Sequence, residues 1–151
     1  MGAATSISER ILSNTYVSYA ENDNTAVFLL EELVLRKSSN FFGPVGEIAK
    51  TYGLTSQQLE PTIKNIMSNS SHIIICVSRA TVGSFNQAIE INRAGHSNAN
   101  IIYIMTDKTY TPDNQPFLRD FIMKHDWFPV YDGETMDDTI EKLVVLLGLD
   151  T

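Results

Sequence analysis

The run His72-Ile-Ile-Ile-Cys-Val77 constrains this chain more than any other feature. Successive side chains of a strand point to opposite faces, so a run that is apolar almost throughout needs cover on both. It reads as the central strand of a parallel sheet. Other β-rich runs are Thr15–Tyr19, a weak one at Asn40–Phe42, Asn100–Met105 and Trp127–Tyr131. Pro129 cannot donate to a ladder and puts the last of these at an edge.

Helical patterns separate the strands. Asp23-Asn24 can cap a helix with an inward stripe of Ala26, Val27, Leu30, Leu33 and Val34. Thr55-x-x-Gln58 and Ser84-x-x-Gln87 resemble capping boxes opening two more, with Pro61 kinking the first or starting its main segment and Gly95 stopping the second. A fourth helix is expected near Pro116. The last is expected from Thr135 to Gly148, with Met136, Ile140, Leu143, Val144 and Leu147 inward. The alternation predicts an α/β fold: flavodoxin-like, with a five-stranded, mostly parallel sheet and helices on both faces. Residues 1–13 read as a leading arm and 14–151 as one domain. A chain of 151 residues fits one core.

Charge and composition exclude several function classes. The net charge of −7 and pI near 4.8 disfavour nucleic acid as a partner. A single cysteine, Cys76, excludes an internal disulfide framework and suits a reducing, cytoplasmic setting. No apolar run approaches a membrane span, and no secretory signal opens the chain. His72, His96 and His125 lack metal-ligand spacing, so no metal is expected. There is no P-loop and no G-x-G-x-x-G, and Gly43-Pro-Val-Gly46 is too short for a phosphate cradle.

Three stretches carry more information. The first is Tyr16-Val-Ser-Tyr-Ala-Glu-Asn-Asp23, followed by Val27, Leu30 and Leu33. The second runs from Ile66-Met-Ser68 into Ile73–Val77 and Ser78. The third is Ser84-Phe-Asn-Gln-Ala-Ile-Glu90. Together and in this order they resemble the Toll/interleukin-1 receptor (TIR) domain family, over roughly residues 14–147. Enzymes of that family commonly show Ser-x-Trp-Cys-x-x-Glu at the third stretch. Here Asn86 and Gln87 stand in place of the tryptophan and cysteine. The loop after the second strand keeps Gly43-Pro44 but lacks the pattern of receptor adaptors.

The resemblance implies cleavage of the nicotinamide–ribose bond of NAD⁺, to ADP-ribose or a cyclised form, in cell-death or antiviral signalling. NAD⁺ is then the substrate, and no separate cofactor is implied. Glu90 is the implied catalytic carboxylate. Positive charge builds on the ribose in the transition state, and a carboxylate stabilises or traps it. Nicotinamide leaves as a neutral group, so one carboxylate suffices. On helix geometry, Phe85, Ala88, Ile89 and Asn92 share one face and Glu90 lies off it, free to face a cleft or solvent.

Substrate-binding candidates are Ser18 and Tyr19 at the end of the first strand, Ser84 and Phe42. Each has a plain structural role beside the functional one. Ser84 is a good N-cap, Tyr19 can pack on the first helix, and Phe42 can be core. Phe28 and Leu35, seven residues apart and opposite the core stripe, form a candidate self-association strip for a homo-oligomer or for docking other TIR domains. Gly2 with Ser6 fits an N-myristoylation pattern, the one route expected to a membrane. Alternatives to the enzyme are a non-catalytic TIR interaction module, a sensor of an ADP-ribose-type nucleotide, and a nucleoside deoxyribosyltransferase-like enzyme.

Overall fold

The computed structural model describes residues 15–36, 41–42, 53, 55–110, 119–120, 124 and 126–147, without the side chains of 34–36, 41–42, 56, 59–60 and 126. Strand β1 is Thr15–Ser18, followed by helix α1, Asn24–Arg36, and strand β2, described over Phe41–Phe42. Helix α2 is Ser56–Ser68, strand β3 His72–Val77, and a 3₁₀ turn covers Arg79–Gly83. Helix α3 is Phe85–Gly95, strand β4 Asn100–Met105, strand β5 Asp126–Pro129 and helix α4 Gly133–Leu146. The strand order is β2-β1-β3-β4-β5. All four pairings are parallel. This is the flavodoxin-like arrangement. The apolar run at 72–77 takes its central place between β1 and β4, and β5, with Pro129, lies at an edge.

The two faces of the sheet build two cores. Val17, Ile74, Cys76, Ile102 and Ile104 face α1 and α4, meeting Ala26, Leu29, Leu33, Met136, Ile140 and Leu143. Tyr16, Ile73, Ile75, Val77, Tyr103 and Met105 face α2 and α3, meeting Ile63, Met67, Ile91 and Ala94. Strand alternation makes this division, and it decides which residues of β1 can meet α3.

Several expectations need correction. Leu29, absent from the expected stripe of α1, is fully buried, whereas Val27 and Leu30 are partly buried beside it. Helix α2 runs unbroken through the exposed Pro61, with Gln58 Oε1 accepting from Thr55 N at 2.9 Å as its box requires. Helix α4 starts earlier than Thr135. Asp132 is its N-cap, accepting from Thr135 N at 2.8 Å, and Thr135 Oγ1 reciprocates at the Asp132 amide at 3.0 Å. An aspartate outcompetes threonine for the cap because its charge favours the helix dipole as well. The arm 1–13 with Gly2, the Gly43-Pro44 loop and His125 lie outside the described residues. So do the helix near Pro116, apart from Arg119–Asp120, and the side chains of Phe42 and Leu35.

Candidate functional site

Helix α3 presents to the sheet a face other than the expected one. Gln87, Glu90, Ile91 and Ala94 are buried, while Phe85 is 78% exposed and Ala88 and Asn92 are open to solvent. A phase drawn through Phe85 and Ile89 follows hydrophobicity. The real phase brings in two polar residues because the sheet offers them hydrogen bonds. Glu90 is therefore 0% exposed and faces β1.

Its carboxylate meets two hydroxyls of one strand. Ser18 Oγ donates to Glu90 Oε1 at 3.0 Å, and the Tyr16 hydroxyl donates to Oε2. Tyr16 and Ser18 are two residues apart and so share the α2/α3 face of the sheet. Burial pushes the Tyr16 phenol far above its ordinary pKa, and the neighbouring Glu90 charge adds to the effect. Tyr16 thus stays protonated and keeps its donor on the carboxylate.

The first turn of α3 continues the site. Ser84 Oγ caps the helix, accepting from Gln87 N at 3.1 Å, and donates to Glu21 Oε2 at 3.2 Å. Asn86 Nδ2 donates to the other oxygen of Glu21 at 3.2 Å. The exposed turn after β1 is thereby fastened across the start of α3. The expected capping box is half-formed, because the Gln87 side chain reaches into the sheet. Its Nε2 donates to Cys76 O at 2.7 Å and is 3.5 Å from Ser18 O, and its buried Oε1 has no hydrogen-bond partner among the described residues.

Of the expected site residues, the structure brings together Glu90 and Ser18, while Ser84 stands at the start of the same helix against Glu21. Tyr19 is placed on the opposite face, in the core with α1 and α4. Tyr16, Glu21 and Gln87 were missed as site residues. The signal for Tyr16 was its two-residue spacing from Ser18, and for Gln87 its place one turn before Glu90. Glu21 meets Ser84 across 63 residues of sequence and gave no local signal.

A separate open cleft of about 530 Å³ lies over the C-terminal ends of β1, β3 and β4, lined in part by Asn22, Asp23, Ser78, Arg79, Thr106 and Asp107. Asp23 is a helix cap there, accepting from Ala26 N at 3.0 Å, and Thr106 Oγ1 donates to it at 2.5 Å. Hydrogen bonds from the Thr109 hydroxyl first, and then from the Arg79 and Thr109 amides, hold Asp107 below the usual carboxylate range.

No helix among the described residues is long and apolar enough to cross a membrane. No curated protein matches the chain. A family model described as Thoeris protein ThsB, TIR-like domain, matches residues 16–111, which run from Tyr16 through Glu90 and beyond β4. The match covers well over half of the chain, which belongs to this TIR-like family.

Proposed function

We propose that this protein cleaves the nicotinamide–ribose bond of NAD⁺ in antiphage signalling, with Glu90 as the essential carboxylate. The observation that carries the reading is the buried Glu90 carboxylate, fixed at both oxygens by Ser18 and Tyr16. A buried carboxylate is costly to maintain, and such groups gather at sites that use their charge.

The chemistry suits that arrangement. The bond from C1′ to the pyridinium nitrogen breaks, and its electron pair leaves with neutral nicotinamide. The ribose becomes cationic, and an oriented carboxylate shielded from water stabilises that charge strongly. Water, or a hydroxyl of the same molecule, then completes ADP-ribose or its cyclised form. Ser18 and Tyr16 orient the carboxylate. Ser84 and Asn86, engaged by the exposed Glu21, supply polar groups that a substrate ribose can take over.

A second reading is a docking module for other TIR domains. Two observations favour it: Glu90 is wholly covered, and Phe28 stands 54% exposed on the outer side of α1. One experiment separates the two. Nicotinamide release from NAD⁺ is measured for concentrated wild type and for Glu90→Gln. The enzyme reading expects release by wild type and a loss of about a hundredfold or more in the variant, the scale seen when transition-state charge loses its partner. Equal release by both would reject Glu90 as the site. Silence from both, with the protein crowded on beads, would leave the docking module and turn attention to Phe28.

A further inference from the structure

We infer that Gln87 is the specificity residue of this site, and that its Oε1 accepts a hydrogen bond from the N–H of a primary carboxamide on the substrate. The inference rests on the reading of Glu90 given above and adds which end of a dinucleotide enters first. Gln87 is fully buried. Its Nε2 lies against two carbonyl oxygens, 2.7 Å from Cys76 O and 3.5 Å from Ser18 O. The amide cannot be turned over, since that would set Oε1 against two acceptors. Oε1 is left buried with no partner among the described residues.

Buried amide oxygens are almost always satisfied, so an orphan held in a fixed orientation marks a place for a donor. The donor must be small, because Gln87 is fully buried. An N–H fits and a carboxylate does not, since it would bring a second acceptor and a charge close to Glu90.

Position supports the same assignment. Gln87 and Glu90 are three residues apart on one face of α3, about one helical turn of ~5.4 Å. A nicotinamide riboside spans a comparable distance from its carboxamide nitrogen to its glycosidic carbon. With the carboxamide on Gln87, the scissile bond falls beside Glu90. The exposed Glu21 is fastened to Ser84 and Asn86 at the start of the same helix.

The test compares nicotinamide with 3-acetylpyridine, which keeps ring and carbonyl but has no N–H. Each is titrated into wild type and Gln87→Met, with binding read by thermal shift and by chemical-shift perturbation. The dinucleotides bearing the two rings are compared by kcat/KM. Wild type is expected to favour the carboxamide by about tenfold or more, the direction expected where a site is built to bond an N–H. Gln87→Met is expected to lose the preference. Equal treatment of the two rings by wild type overturns the inference and needs no variant to fold. An undiminished preference in a folded Gln87→Met overturns it too. Discrimination in binding without cleavage of either dinucleotide upholds Gln87 and rejects the enzyme reading; cleavage without discrimination does the reverse.

Discussion

Tyr16 shows how much one side chain of β1 holds. Its ring belongs to the core under α2 and α3, and its hydroxyl meets Glu90. Tyr16→Phe keeps the ring and removes one donor from a buried carboxylate. We expect a destabilisation of about 1–3 kcal/mol, as for other buried polar groups deprived of a bond, read from urea unfolding. On the proposed reading of Glu90, nicotinamide release should fall with it as the carboxylate loses its orientation. Unchanged stability would mean that this hydrogen bond contributes nothing net to the fold. At this scale the sequence was partly legible. The resemblance pointed to Glu90, and the place of Ser18 at the end of the first strand pointed to that residue. The burial of Glu90 and Gln87 was not legible, because hydrophobic periodicity scores a polar residue as exposed. It cannot anticipate backbone carbonyls such as Cys76 O, which make burial of an amide tolerable.

Helix starts were the most legible elements, because caps are local chemistry. Thr55 and Ser84 cap α2 and α3 as expected, while Asp132 displaces Thr135 at α4. The face of α3 was not legible, since it is chosen by β1 and β3 rather than by the helix itself. Ser84 joins the two kinds of information, capping α3 and holding Glu21. Ser84→Ala removes both contacts. The lost cap should cost about 1 kcal/mol, and amide exchange should quicken in the first turn of α3. Ser84→Thr keeps a hydroxyl and should recover most of both effects. A loss of stability without faster exchange in that turn would place the role of Ser84 elsewhere.

For the whole molecule, the parallel sheet, its central strand at 72–77 and the edge strand with Pro129 follow from the apolar run and the alternation around it, so the architecture was the most legible level of all. That strand also sets a pH limit far from the site. His72 begins β3, at the N-terminal end of the strand, with Ser71 Oγ 3.0 Å from its Nδ1. Burial lowers its pKa, and a hydrogen bond with the Leu146 backbone opposes part of the shift. The unfolded chain therefore takes up this proton before the folded one does. Stability is full above the ordinary value of 6.5 and is lost as pH falls through the lowered value. The depressed carboxylates Asp107 and Asp132 add their loss lower, below the ordinary 3.8. Acid also reduces the net charge of −7, which relieves self-repulsion and acts in the opposite sense. That term is diffuse and screened at ~0.15 M salt, whereas a partly buried imidazole is screened much less. Unfolding free energy measured from pH 7.5 to about 2.5 in such salt should therefore fall as the histidine window is entered, and again as the carboxylate window is reached. His72→Gln, which has no proton to take up, should flatten that limb and leave the carboxylate limb intact. An unchanged upper limb in the variant would assign it to another group.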